Sequence, residues 1–310
     1  MKNIYVFIFA LATTMVFSAG LVSATQHCLD TGTGMSANYI NEVPDEHFTV
    51  TCDVGIFYNE SGVITDASLA GTVADAQSVQ IGIYVYQADV DVRNSAISVE
   101  ENYPHQFVSI RYDDATGTIR GNTLEGAHRA GIVARGDQTD VTIHGNSVIG
   151  TGAKTSGWAE NGIQVDQGAV ATIRNNHVEG HWWDGESNWA SSGIMLFDSD
   201  KSSAIGNTLV DNEVSFYIIG DDNKLRANRI TSSIVSDSSL EFRAWGAIVL
   251  GDRNDLAGNR FIETNNNGAV GIYELGERNK LTGNQIRGFE EPVLSYGTDA
   301  LVRGNPSSLE

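Results

Sequence analysis

The sequence predicts an all-β, single-domain solenoid, and three observations predict it. An asparagine returns once per repeat, at Asn122, Asn146, Asn176, Asn207, Asn228, Asn259, Asn284 and Asn305. Three residues before each stands an apolar side chain, from Ile119 and Ile143 to Leu281 and Val302, and two residues after stands another in seven of the eight, Ser307 being the exception. No helical period occurs in these repeats; the segments between turns are short and alternate, or run apolar as in Gly162-Ile163-Gln164-Val165 and Gly193-Ile194-Met195-Leu196. A fixed unit that cannot bury its own apolar face must stack on its neighbours.

The elements follow in order. Successive asparagines are 24, 30, 31, 21, 31, 25 and 21 residues apart, so the bare unit is 21 residues, enough for three short strands, and longer units carry insertions. Gly precedes the asparagine in six repeats, which reads as strand, tight bend, strand, with Asn tolerating a left-handed backbone. Stacking aligns the asparagines, and each amide can donate to one neighbour and accept from the other. The pattern I-x-G-N-x-L/V, followed after a turn by G-I, resembles the right-handed parallel β-helix repeat of pectate-lyase-like proteins over roughly residues 80 to 306. That resemblance implies a single-domain right-handed parallel β-helix with an N-terminal cap. It does not extend to a specific enzyme family. The Asn-Thr-Asp, paired-Asp and Gly-His-Gly set of polygalacturonases, the Asp-Pro-His-Asp motif of alginate epimerases and the Arg-rich motif of extracellular pectate lyases are all missing.

Residues 1–24 read as a signal peptide: Lys2, an apolar run from Ile4 to Phe17, then Val22-Ser23-Ala24, with a retained membrane anchor as the alternative. The mature chain then starts at Thr25, is secreted or periplasmic, and has no further segment that could span a membrane. Residues 25–78 are expected to form a cap and a first irregular coil, and 79–310 the β-helix. Export makes a Cys28–Cys52 disulfide the expected state of the two cysteines, against two buried free thiols. The C-terminal coil stops at Asn305, leaving an edge that a second copy of the chain could cover in a homo-oligomer.

The net charge of −20, or −21 without Lys2, excludes nucleic acid as a partner. It also disfavours polyanionic glycans unless a local basic group, or a bound cation such as Ca²⁺, reverses the field. The repeated Gly220-Asp221-Asp222-Asn223, Gly251-Asp252-Arg253-Asn254 and Gly276-Glu277-Arg278-Asn279 are turn chemistry or, alternatively, a Ca²⁺ motif; no metal ligand and no certain cofactor is assigned.

The insertions give the function an address. From the ladder asparagine to the glycine of the next strand takes nine residues in the short coil but 16, 17 and 18 after Asn146, Asn176 and Asn228. All three insertions fall at one point of the coil, so the loops emerge on one side as a wall about 15 Å long. They hold all five tryptophans, Trp158, Trp182, Trp183, Trp189 and Trp245, either as platforms for sugar rings or as anchors pinning the loops. They also hold His181, Asp184, Glu186, Glu160, Glu241 and Arg243, with Asp166, Arg135 and Asp198 at strand ends nearby. Two carboxylates in different environments suit glycoside hydrolysis, and a His base with an Arg stabiliser suits a lyase or epimerase. The expected function is therefore a carbohydrate-active lyase, epimerase or hydrolase on an extended glycan, with His181, Asp184, Glu186, Glu160 and Arg243 as catalytic candidates. Trp158, Trp182, Trp183, Trp189, Trp245, Asp166 and Arg135 are the binding candidates. The alternative is a non-catalytic glycan- or protein-binding or structural β-helix.

Overall fold

The computed structural model describes residues 28–71, 79–100, 103–154, 158–183, 190–234, 245–265 and 269–307. The expected signal peptide, Asp184, Glu186, Trp189, Glu241 and Arg243 lie outside the described residues. The chain winds into a right-handed β-solenoid of three sheets. The first has twelve strands, running from Leu29–Asp30 to Glu291–Ser295. The second has ten, from Gly62–Thr65 to Leu301–Arg303, and the third ten, from Phe48–Val50 to Gln285–Arg287. Each strand pairs in parallel with its counterpart one coil away, as in Ile132↔Ile163 and Ile163↔Ile194. Among the described residues only Leu29–Asp30 and Ser36–Ile40 pair antiparallel. Within the segment expected as a cap and first irregular coil, strands 36–40, 54–58, 62–65 and 68–71 take places in the three sheets.

Alternation sets the core. Ile132, Ile163 and Ile194 of the first sheet, Ile119, Ile143 and Ile173 of the second, and Leu124, Val148 and Val178 of the third all point inward and are fully buried. They belong to one cluster that runs the length of the rod from Phe48 to Phe289. Each coil contributes only a few such residues, so the core exists only by stacking.

The asparagines stack in the turn between the second and third sheets. Asn122 Nδ2 donates to Asn146 Oδ1 at 2.9 Å, Asn146 to Asn176 at 2.9 Å, and Asn176 to Asn207 at 3.0 Å. The column continues through Asn228, Asn259 and Asn284 to Asn305. Each amide also donates to a carbonyl of the preceding coil, as Asn176 does to Ile143. One detail differs from the sequence expectation. The left-handed residue is the one before the ladder asparagine: Gly121, Gly145, Gly206, Gly258, Gly283 and Gly304, replaced by Asn175 and Ala227 in the other two coils. The ladder asparagines themselves keep ordinary backbones.

A disulfide joins Cys28 to Cys52, as expected. The Gly-Asp-x-Asn repeats form a second, shorter ladder, Asn223 N donating to Asn254 Oδ1 and Asn254 N to Asn279 Oδ1. Among the described residues no group of three or more His, Cys, Asp or Glu is placed to hold a metal, and no helix is long and apolar enough to cross a membrane.

Candidate functional site

The first-sheet strands turn every second side chain outward, and over six coils these form the floor of a groove of about 960 Å³. One end is polar: Arg129, Arg135, Asn161, Gln164 and Asp166. The rest is apolar and aromatic: Met195, Phe197, Tyr217, Trp245, Ile248, Leu250 and Tyr273.

The polar end is tightly organised. Arg135 and Asp166 are register partners on adjacent strands. Arg135 donates from Nε and Nη2 to the two Asp166 oxygens at 2.8 and 3.0 Å, a bidentate pair. Gln164 donates to the same carboxylate and accepts from Asn161 Nδ2 at 2.9 Å. The hydrogen bonds with Asp166 hold the Arg135 guanidinium above its ordinary range. Arg129 donates to the Ala159 carbonyl at 3.1 Å. Its pKa is lowered, first by burial and then by the Arg135 charge.

The aromatic end is a ladder. The Trp245 and Tyr273 ring centroids are 5.5 Å apart and those of Tyr273 and Tyr296 6.0 Å, with the rings tilted. Burial raises the Tyr217 hydroxyl pKa, so Tyr217 stays a neutral hydrogen-bonding group near neutral pH.

The structure distributes the sequence candidates unevenly. His181 and Glu160 are brought together: His181 Nδ1 and Glu160 Oε1 are 3.0 Å apart. The pair is enclosed, at 0% and 2% exposure, with His181 Nε2 facing the Val148 carbonyl at 3.4 Å. Thr151 donates to Glu160 from its backbone N–H at 3.2 Å and its hydroxyl at 2.8 Å. A Cβ on Gly162 would lie 2.9 Å from His181 Cδ2, so the imidazole sits beneath the strand that forms the groove floor. His181, Trp182 and Trp183 lie on strand His177–Trp183, not in a loop as the sequence reading had it. The pairing with strand Ser147–Lys154 shifts between Ile149 and Gly152, where two residues oppose Gly180, and the left-handed backbone of Gly180 lets Val178 and His181 both point inward.

The tryptophans divide as well. Trp158 is half-buried and donates its indole N–H to the His128 carbonyl. Trp182 packs on the core and Trp183 is buried, so these three brace the strand ends. Trp245 opens strand Trp245–Val249 and lines the groove. Tyr217, Tyr273, Met195 and Ile248 were missed by the sequence reading. The signal was present: each occupies the outward position between inward apolar residues, the place of Gln164 in Ile163-Gln164-Val165.

Comparison with known proteins agrees on the coil. The profile of the family described as right handed beta helix region matches residues 42–182 and 106–286. No curated protein matches the sequence. Among solved structures, a mutant of the periplasmic alginate epimerase AlgG is 12% identical, with 81% of this chain and 71% of that chain covered and a TM-score of 0.48. The Dettilon tailspike protein is 14% identical, with 79% and 52% covered and a TM-score of 0.42. The A-module of an Azotobacter vinelandii mannuronan C-5 epimerase is 14% identical, with 83% and 73% covered and a TM-score of 0.26.

Proposed function

Because the chain belongs to the family of right-handed β-helices, we propose that it is an exported carbohydrate-active protein holding an extended glycan in the groove along its twelve-stranded sheet. The observation that carries this reading is the Trp245–Tyr273–Tyr296 ladder over an apolar floor that runs into a cluster of amide and charged groups. A sugar chain presents apolar C–H faces and hydroxyls. Tilted rings supply rigid amphipathic area at low entropic cost, while Asn161, Gln164 and the Arg135–Asp166 pair supply fixed donors and acceptors. Export rests on the signal-like residues 1–24 and agrees with the Cys28–Cys52 disulfide.

For chemistry, the candidates are Asp184 and Glu186 as acid and base and Arg243 as the stabiliser of developing negative charge. The segments that carry them rejoin the described chain at Ala190 and Trp245, both of which line the groove. Glu160 and His181 act from beneath, fixing the strand on which Asn161 and Asp166 stand. The second reading, a non-catalytic glycan- or protein-binding β-helix, is favoured by the enclosure of the His181–Glu160 pair.

Calorimetric titration of the chain lacking residues 1–24 against a glycan panel tests the groove. Trp245→Ala and Tyr273→Ala are each expected to weaken binding about tenfold, as the loss of one stacking contact implies. Unchanged affinity in both variants, or no binding to any glycan, ends the proposal. Assays for unsaturated products and for reducing ends separate the two readings. Turnover that falls by at least about a hundredfold in Asp184→Asn or Glu186→Gln supports the enzyme, and binding without turnover supports the binder.

A further inference from the structure

The second sheet carries a feature independent of the groove. Register aligns Arg93, Arg120, His144 and Arg174 on four successive coils, all at the same outward position. Sequence hides this column, because its members are 24 to 30 residues apart. Each stands two residues before a ladder position, Ser95, Asn122, Asn146 or Asn176, and only the stacking brings them side by side.

Like charges directly opposite on neighbouring strands are unfavourable. No carboxylate stands in this column, and none of the three guanidiniums has a salt bridge among the described residues. Arg111, Arg135, Arg226 and Arg253, by contrast, are all paired. Between them, His144 has a lowered pKa, first through partial burial and then through Arg174 and Arg120, which is how a ring responds to uncompensated positive neighbours. Beside this column runs a second one of hydroxyls, Thr118, Thr142 and Thr172, in the same register. Asp91 heads the threonine column, and its carboxylate accepts the Thr118 backbone N–H at 3.0 Å. In a chain of net charge −20, this strip of guanidinium and hydroxyl donors, one rung per coil, is a local basic group.

We propose that this strip docks an extended acidic polysaccharide, laid along the rod axis so that successive anionic groups meet Arg93, Arg120 and Arg174 and its hydroxyls meet the threonines. The rungs repeat at about 4.8 Å, close to the advance of one residue in an extended sugar chain. Duplex DNA, with a phosphate about every 3.4 Å along each strand, does not keep register with them. Carboxylate and sulfate share the chemistry that guanidinium recognises, since both accept two parallel N–H bonds. The acidic remainder of the surface confines the polymer to this face.

The test is binding of the full chain to a polyuronate, a sulfated polysaccharide, a neutral glucan of matched length and duplex DNA, over a series of salt concentrations. The wild-type chain is expected to bind one or both acidic polymers and not the glucan, the preferred polymer identifying the anion. The Arg93→Gln/Arg120→Gln/Arg174→Gln variant should bind at least about tenfold more weakly, with a flatter salt dependence. A charge-matched control on the third sheet, Arg229→Gln/Arg260→Gln/Arg287→Gln, should retain wild-type affinity for that polymer. The three arginines repel one another, so their removal leaves the melting temperature unchanged or raised. Three results each overturn the proposal: no binding of either acidic polymer, equal loss in the control, or tighter binding of DNA.

Discussion

Ala227 occupies a left-handed backbone position, φ 52°, in the turn where six other coils use glycine. A Cβ there crowds the following carbonyl at a cost of about 1 kcal/mol. The turn is imposed by the ladder on both sides of it, Asn207 and Asn228 being hydrogen-bonded at 3.0 Å, so the residue cannot relax without breaking the column. Ala227→Gly is expected to raise stability by roughly 0.5–1 kcal/mol, the relief of strain exceeding the added freedom of the unfolded chain. Urea unfolding checks it, and a lower midpoint in the variant would show that the turn is unstrained. The same position explains why the glycines were legible and their geometry was not. Six Gly-Asn pairs announce a left-handed residue, but which of the two takes it is visible only in the backbone, where it is the glycine.

At the scale of the element, the ladder shows what a buried polar column contributes. Asn207 is fully buried; its Oδ1 accepts from Asn176 N and Nδ2, and its Nδ2 donates to Asn228 Oδ1 and the Ile173 carbonyl. Asn207→Ala takes the acceptor from the Asn176 backbone N–H and from one of its two amide N–H groups, the other still donating to Ile143, and removes the amide donor to the Ile173 carbonyl, at about 1–3 kcal/mol for each group that water cannot reach. A loss of at least about 3 kcal/mol is expected from chemical denaturation. Asn305→Ala, at the half-buried last rung, should cost clearly less, and equal losses would mean that the column does not act through burial. Strand periodicity was the readable part of these elements. It failed at His181 because left-handed Gly180, opposite the bulge between Ile149 and Gly152, resets the alternation and encloses His181 beside Glu160. It was not applied to the outward positions, where Tyr217 and Tyr273 line the groove. The arginine strip needed register as well as period, since Arg93 and Arg174 are 81 residues apart in sequence and three rungs apart in space.

On the scale of the whole molecule, every coil touches only its neighbours, so stability is a sum of local terms coupled along one axis. The composition foretold acidity and the repeat foretold the rod, but the separation of an aromatic groove on one sheet from a cationic strip on another follows from how the coils align. The same one-dimensional logic governs the disulfide. Cys28 and Cys52 are 24 residues apart and tie the antiparallel pair at the start of the rod to the turn before strand Val54–Tyr58. Closing a loop of that size restricts the unfolded chain by about 3 kcal/mol in the entropic account. In a globular core that contribution would be shared by the whole fold. In a solenoid it acts on the first coils, and neighbouring interfaces pass on only a diminishing part. Cys28→Ser/Cys52→Ser is therefore expected to raise amide exchange in residues 36–58 by about a hundredfold, corresponding to that energy, while strands 245–249 and 270–274 keep wild-type protection. Hydrogen exchange followed by mass spectrometry reads both ends in one experiment. A uniform loss of protection from 36 to 303 would show that the rod unfolds as one unit and that its coils are not independently stable.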